Sequence, residues 1–156
     1  MKLASLLSTR RILPEMKAVT QWEALGELLD HLVVTGDVAE ERREGVLEAL
    51  HAREEQVSTG IGHGVAIPHA YCDQIEHAVA VFGRSEEGID FEACDNAPVR
   101  FLILLLVPKN KAQAHLQTLA AIASLFSRCE VRERLAAAAT SEELYGIVEQ
   151  CEANGA

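Results

Sequence analysis

The feature that most restricts the fold of this chain is an apolar run at residues 99–107, VRFLILLLV. The run is far shorter than the roughly 20 apolar residues that a membrane-spanning helix needs. A strand with one solvated face alternates between apolar and polar residues, whereas Arg100 is the only polar residue in this run. We therefore expect a central strand that is covered on both faces, which requires helices on each side of a sheet.

Patterns typical of helices occur before and after this run. Thr20 with Glu23, and Thr140 with Glu143, each match the capping box that opens a helix. Apolar residues recur at helical spacing in stripes that include Trp22 early in the chain and Leu116 later. Helices are predicted at 20–36, 39–54, 112–127, 130–138 and 140–151, and strands at 65–67, 77–82 and 99–107.

These elements predict a single domain of the α/β class, with a small, mostly buried mixed sheet sandwiched by helices. The domain is expected to span residues 20–152, after an irregular N-terminal segment at residues 1–19. A length of 156 residues is sufficient for one domain with a sizeable core.

The charge of the chain limits the partners that it can have. Its 24 acidic and 14 basic residues give a formal net charge of −10. Nucleic acids and anionic membranes bind through clustered lysines and arginines, so we predict no nucleic-acid binding and no direct membrane insertion. The four cysteines lack the C-x-x-C pairs of a zinc site. No nucleotide-binding loop occurs either, so we predict no cofactor. We also predict that the protein is cytoplasmic.

The segment at residues 58–70, STGIGHGVAIPHA, is the candidate for chemistry. Its alternating glycines permit tight turns and the close approach of a backbone or an anion. A short strand at 65–67 would lead to Pro68, whose fixed φ and missing N–H end the pairing and stiffen the chain just before His69. Histidine can form covalent intermediates at neutral pH, so a rigidly presented imidazole suits a nucleophile.

Taken alone, this segment has simpler explanations. A histidine after a proline is more often an ordinary surface or partly buried residue, and the glycines could form a common turn. His63 and His69 are six residues apart, a spacing that could suit a metal. No third ligand joins them at a recognisable spacing, so no metal site is predicted.

The wider pattern resembles a known family. The sequence S-T-G-I-G-x-G-x-A-I-P-H is similar to the signature of the fructose/mannitol/nitrogen family of enzyme IIA domains of the phosphoenolpyruvate-dependent phosphotransferase system. The resemblance covers nearly the whole chain and is closest to the nitrogen-regulatory branch. Four further runs similar to that branch follow in the same order: FEACDNAPV at 91–99, LLVP at 105–108, HLQTL at 115–119 and SEELY at 141–145.

The resemblance implies roles for three residues. His69 matches the phosphorylated histidine, with Nε2 as the attachment point, and His115 and Arg53 match a histidine and an arginine that stabilise the phosphoryl group. Without the resemblance, His115 would be a satisfied core or boundary histidine, and Arg53, in the charged run 53–55, would be part of a solvated helix end. The implied donor is an HPr-type phosphocarrier protein, and the implied acceptors are an enzyme IIB or regulatory target proteins.

The predicted function is a regulatory phosphohistidine carrier of the nitrogen type. A sugar-specific enzyme IIA that passes phosphate to an enzyme IIB, and a non-catalytic binding module on the same fold, remain alternatives. The chain departs from the family near the site, with Ala70 where glycine is usual, His63 where asparagine or another small polar residue is frequent, and Tyr71 and Cys72 where polar residues are common. The methyl group of Ala70 could restrict the backbone or the approach of a partner.

Overall fold

The computed structural model describes residues 2–73 and 75–154, which form six α-helices and six β-strands. The helices are α1 (Leu3–Leu6), α2 (Gln21–Val34), α3 (Arg43–Gln56), α4 (Leu116–Ser127), α5 (Cys129–Ala137) and α6 (Ser141–Asn154). The strands are β1 (Ile12–Leu13), β2 (Gly60–Gly62), β3 (Val65–Ala66), β4 (His69–Cys72), β5 (Val79–Ile89) and β6 (Val99–Pro108). None of the helices within these ranges has the length and apolar character required to cross a bilayer.

The strands join one mixed sheet in the order β1-β5-β6-β3-β2. β5 and β6 pair antiparallel at its centre, and β1 runs parallel to β5. Two short strands lie in succession on the other side of β6 and run parallel to it, β3 at its beginning and β4 at its end. A sheet between helices confirms the predicted fold class. β4, which pairs with β6, forms an edge of the sheet.

β6 contributes side chains to both layers of the core. All residues from 102 to 107 have no exposed surface. The even-numbered residues of this stretch belong to an apolar cluster with α2 and α3, and the odd-numbered residues belong to a second cluster with α4, α5 and α6. Because side chains alternate between the faces of a strand, a continuous apolar run is required here. The prediction of a central strand covered on both faces is confirmed.

The two predicted capping boxes differ in the structure. At α2, Thr20 Oγ1 accepts a hydrogen bond from the Glu23 N–H, and the Glu23 carboxylate accepts one from the Thr20 N–H, each at 3.2 Å. At α6, Thr140 Oγ1 accepts from the Glu143 N–H at 3.1 Å, but the Glu143 carboxylate accepts from the N–H of Ala139 instead. Both helices begin where the sequence predicts, and the first box is complete.

Two predicted members of the apolar stripes are not core residues. Trp22 is 40% exposed and packs against the ring of His51, with centroids 5.1 Å apart, and Leu116 is 49% exposed. Each lies in the first turn of its helix, where a residue can share the helical period without facing the sheet. The buried face of α2 is formed by Ala24, Leu25, Leu28, Leu29 and Leu32.

The N-terminal segment contributes to the core. Met1 lies outside the described residues. Residues 2–19 include α1 and β1 and are not irregular throughout. The sequence did not predict these two elements because they are too short to show a periodicity. Glu152 of α6 accepts hydrogen bonds from the N–H groups of Leu3 and Ala4 at 2.6 and 2.7 Å. The segment buries four side chains against the second cluster: Leu3, Leu6, Leu7 and Ile12.

Replacing Glu152 by alanine is expected to lower the free energy of unfolding by about 1–3 kcal/mol, because two charge-assisted hydrogen bonds to partly buried N–H groups are lost. Glu149→Ala removes an exposed carboxylate from the same helix and is expected to change that energy by less than about 0.5 kcal/mol. Denaturant unfolding of both variants measures the difference. Equal effects would mean that Glu152 does not hold the N-terminal segment.

Candidate functional site

The segment before His69 folds as a tight hairpin, β2 and β3, that packs against neighbouring backbone. Gly60 lies so close to residue 93 that a Cβ on it would be 2.8 Å from the Cβ of Ala93. Gly64 has a φ of +77°, and its carbonyl oxygen accepts hydrogen bonds from two N–H groups at the start of β6, at 2.8 and 3.0 Å. The glycines are therefore needed for a positive φ and for close approach of backbone, two of the roles expected from the sequence.

His63 occupies the turn of this hairpin and is not close to His69 along the sheet. It has a φ of +58°, and its N–H donates to Asp95 Oδ2 at 3.0 Å. Hydrogen bonds from the N–H groups of Ala97 and then His63 lower the pKa of Asp95. The turn adjoins the start of β6, whereas His69 pairs with Leu105 farther along. Within residues 2–73 and 75–154, no group of three histidines, cysteines or acidic residues could hold a metal ion.

His69 is the first residue of β4, after a break in the edge of the sheet. Pro68 separates β3 from β4, and its carbonyl oxygen accepts from the N–H of Leu105 at 2.9 Å. The imidazole Nδ1 of His69 lies 2.8 Å from the carbonyl oxygen of Ile67. A carbonyl oxygen can only accept, so Nδ1 carries the proton and donates it. Nε2 of the neutral ring therefore keeps an unshared electron pair, as a nucleophile requires.

The surroundings of His69 favour this neutral form. The pKa of the half-buried imidazole lies below its ordinary value of 6.5, chiefly because burial disfavours the charged ring. The hydrogen bond to Ile67 opposes this shift, and the positive charge of Arg53 adds to it. Protonation consequently favours the unfolded chain, so this group lowers the stability of the fold as the pH falls below 6.5.

Arg53 lies in the last turn of α3, which packs against β4. Its Nη1 donates to the carbonyl oxygen of Val57 at 2.9 Å, and its side chain is half-buried. β4 begins with His69, and the positive charge of Arg53 lowers the pKa of that residue. The structure thus brings together two of the three residues that the resemblance selected.

Glu54 is a residue of the site that the sequence analysis missed. It lies in the charged run 53–55 but is only 4% exposed. Its carboxylate accepts from the N–H of Thr59 at 2.9 Å, from the hydroxyl of Thr59 at 2.6 Å and from the amide of Gln21 at 3.3 Å. Its charge raises the pKa of His69, opposite to the effect of Arg53. Glu54 follows Val46 and Leu50 at intervals of four, and this helical register is the signal that could have identified it.

His115 is buried, at 6% exposure, in the 3-10 turn Gln113–His115 that precedes α4. Its Nδ1 lies 3.3 Å from the hydroxyl oxygen of Thr118, which is also buried. Burial is the main cause of a lowered pKa, and the positive charge of Lys111 adds to it. The lowered pKa favours the neutral ring, in which Nδ1 lies beside Thr118 and Nε2 has no hydrogen-bond partner among the described residues.

The topology brings His115 to the end of the sheet that carries β4. The last residue of β4 pairs with Pro108, the last residue of β6, and the turns that lead to His115 follow directly. Among the described residues, no hydrogen bond, ion pair or ring contact joins His115 to His69 or to Arg53.

The methyl group of Ala70 does not face an approaching partner. Ala70 is 2% exposed and belongs to the apolar cluster with α2 and α3. Because side chains alternate along β4, the methyl lies on the face of the strand opposite to His69. Cys72 lies on the same buried face as Ala70, and burial raises the pKa of its thiol to about 11. The methyl of Ala70 therefore does not obstruct the approach of a partner, and its effect on the backbone stays a prediction.

Comparison with known proteins identifies the family of this chain. A model of the family described as "Phosphoenolpyruvate-dependent sugar phosphotransferase system, EIIA 2" matches residues 5–151. A nitrogen regulatory protein of Pseudomonas aeruginosa is 39% identical over 116 residues, which are 74% of this chain and 75% of that protein. A fructose-specific EIIA component of Haloferax volcanii is 37% identical over 134 residues, 86% of each. The crystal structure of the nitrogen regulatory protein IIA-Ntr from Neisseria meningitidis has a TM-score of 0.84 at 32% identity, covering 93% of this chain and 97% of that one.

Replacing Arg53 by glutamine is expected to raise the pKa of His69, because a nearby positive charge that disfavours the imidazolium is removed. Arg43→Gln removes a positive charge from the other end of α3 and is expected to leave that pKa unchanged. Titration of the His69 ring protons by NMR measures both. A pKa of His69 that stays constant in Arg53→Gln would contradict the proximity of the two side chains.

Proposed function

This chain belongs to the EIIA 2 family of the phosphoenolpyruvate-dependent sugar phosphotransferase system, whose members are phosphohistidine-carrying phosphotransferase components, and on that premise we propose that His69 carries the phosphoryl group. One observation carries the proposal. Nδ1 of His69 donates to the carbonyl oxygen of Ile67, which leaves the electron pair of Nε2 free for attack. The lowered pKa of His69 supports the proposal, since a neutral imidazole is the nucleophilic form.

The transfer needs little covalent chemistry from the protein. Nε2 of His69 attacks the phosphorus of a donor phosphohistidine, and the electron pair of the broken P–N bond returns to the donor nitrogen. The Ile67 carbonyl stabilises the positive charge that develops on the attacking ring, because it already accepts the Nδ1 proton. The remaining task is to hold the reacting atoms in line and to stabilise the negative oxygens of the phosphoryl group.

Arg53 and His115 are proposed to perform that stabilisation. Arg53 supplies a permanent positive charge and several donors at the C-terminal end of α3. His115, held at Nδ1 by Thr118, can donate from Nε2 to a phosphoryl oxygen when Thr118 donates to Nδ1. The loss of one such donor is expected to cost about 2–4 kcal/mol in the transition state, by analogy with oxyanion-hole donors.

The donor is proposed to be an HPr-type carrier protein that docks at this end of the sheet. Exposed apolar side chains stand beside two of the proposed site residues, Val57 at 68% exposure after α3 and Leu116 at 49% next to His115. A partner protein that covers them would exclude water from the transfer. A protein donor therefore suits this surface better than a small phosphorylated molecule would.

Downstream, the chain is proposed to act as a regulatory, nitrogen-type enzyme IIA. The runs at 91–99 and 115–119 and the likeness to nitrogen regulatory proteins support this role. A phosphoryl group on the half-buried His69 adds nearly two negative charges at the edge of the sheet, enough to create or abolish a protein interface. Transfer to an enzyme IIB in sugar uptake is the alternative, and the fructose-specific relative favours it.

Incubation with phosphoenolpyruvate, enzyme I and an HPr-type carrier is expected to add one acid-labile phosphoryl group, measured by intact mass. His69→Ala is expected to gain none, because the attacking nitrogen is absent. His77→Ala, which removes an exposed histidine after β4, is the matched control and is expected to be loaded like the parent. A His69→Ala variant that is still loaded would refute the assignment of His69.

An experiment with the phosphorylated protein distinguishes the regulatory role from the sugar-uptake role. The protein is mixed with purified fructose-type and mannitol-type enzyme IIB domains, and the label is followed on both partners. Retention of the phosphoryl group on the chain supports a regulatory role. Rapid transfer to either IIB domain would establish the sugar-uptake role instead.

A further inference from the structure

Tyr71 shares a face of β4 with His69. The two residues are separated by one position, so their side chains leave the strand on the same side, and they pair with Leu105 and Val107 of β6. Tyr71 is half-buried and packs against the apolar cluster that β6 forms with α4, α5 and α6. One side of its ring is therefore fixed by the core of the domain.

The ring of Tyr71 also contacts the imidazole of His69. Their centroids are 6.0 Å apart and their planes make an angle of 70°, an edge-to-face arrangement. This geometry lies in the range in which aromatic pairs attract each other. The hydroxyl of Tyr71 makes no hydrogen bond within the described part of the chain. The ring, rather than the hydroxyl, is what this residue presents to His69.

His69 is consequently held at two points. The carbonyl oxygen of Ile67 fixes Nδ1 at 2.8 Å, and Tyr71 limits the rotation of the ring about its side-chain bonds. A single hydrogen bond permits the imidazole to pivot around it, whereas a second contact defines the direction in which Nε2 points. In-line transfer depends on that direction, because the attacking nitrogen, the phosphorus and the leaving nitrogen must be aligned.

We propose that Tyr71 is a positioning residue for phosphoryl transfer, whose aromatic ring aims Nε2 of His69. The inference rests on the proposed role of His69 as the phosphoryl acceptor. It concerns a position at which this chain departs from the family resemblance, since polar residues are common there. The aromatic contact is thus this chain's own means of fixing the nucleophile.

Three variants test the proposal with an HPr-type phosphocarrier as donor. Tyr71→Phe keeps the ring and removes the hydroxyl, and Tyr71→Leu removes the ring. Tyr145→Leu is the matched control, because Tyr145 packs against the same apolar cluster and its hydroxyl donates to the carbonyl oxygen of Ala4, away from His69. Single-turnover rates at varied donor concentration give the limiting rate constant of transfer, here called kcat, and the donor concentration at half that rate, here called KM. NMR reports the ring protons of His69.

We expect Tyr71→Leu to lower kcat by about three- to tenfold with KM unchanged, the size of effect that an aromatic pair supplies. Tyr71→Phe is expected to match the parent, and Tyr145→Leu to lose stability without losing kcat. The ring protons of His69 are expected to shift in Tyr71→Leu, because the ring current of the tyrosine is lost, and to stay in place in Tyr145→Leu. If Tyr71→Leu does not fold, Tyr71→Met supplies a flexible side chain without a ring.

Other results would overturn the proposal. A Tyr71→Phe variant as slow as Tyr71→Leu would assign the effect to the hydroxyl, and a raised KM with constant kcat would assign it to contact with the donor. An unchanged kcat in Tyr71→Leu would leave Tyr71 without a role in transfer. His69→Ala is measured in parallel: if it is inert while Tyr71→Leu is fully active, the role of Tyr71 fails and the role of His69 stands.

Discussion

Burial of β6 on both of its faces is the constraint on which the rest of this structure depends. Its even-numbered leucines from 102 to 106 need the layer of α2 and α3, and the odd-numbered residues from 103 to 107 need the layer of α4 to α6. Each fully buried aliphatic side chain contributes about 1.5–3 kcal/mol to folding, so neither layer can be dispensed with. The two layers of helices lie where they cover this strand.

The same constraint produces the site. β3 and β4 both pair with β6, and Pro68 lies between them. Because proline has no N–H to donate, strand pairing at this edge of the sheet is interrupted there. Strand pairing resumes at His69, the first residue of β4, which packs against α3. His115 follows the end of β6 on its way to the helices that cover the other face. His69 and His115 thus both lie toward the end of β6.

The electrostatics around His69 favour its neutral imidazole. The charge of Arg53 lowers the pKa of His69, and the charge of Glu54, the next residue in the sequence, raises it. Burial has a larger effect on this pKa than either charge. Glu54 accepts three hydrogen bonds and so remains a satisfied buried carboxylate, which anchors Thr59 at the start of the glycine-rich hairpin. Among the described residues, Arg53 makes one hydrogen bond, to a backbone carbonyl, and under the proposed function its other donors serve the phosphoryl group.

By itself, the sequence determined what local patterns and a long apolar run can determine. The central strand, the first residues of α2 and α6 and the fold class were predicted correctly, because a capping box and a two-sided apolar strand depend on residues near one another in the chain. The family was predicted correctly from the resemblance of the segment at 58–69 to its signature. The tertiary structure alone decided which way side chains point and which polar groups lose water. Trp22 and Leu116 share the helical period yet face solvent, Glu54 looks like a surface charge yet is buried, and the methyl of Ala70 faces the core. The tautomer of His69 and its contact with Tyr71 were likewise fixed only by tertiary structure, because they depend on the backbone path around Pro68 and on strand pairing with β6.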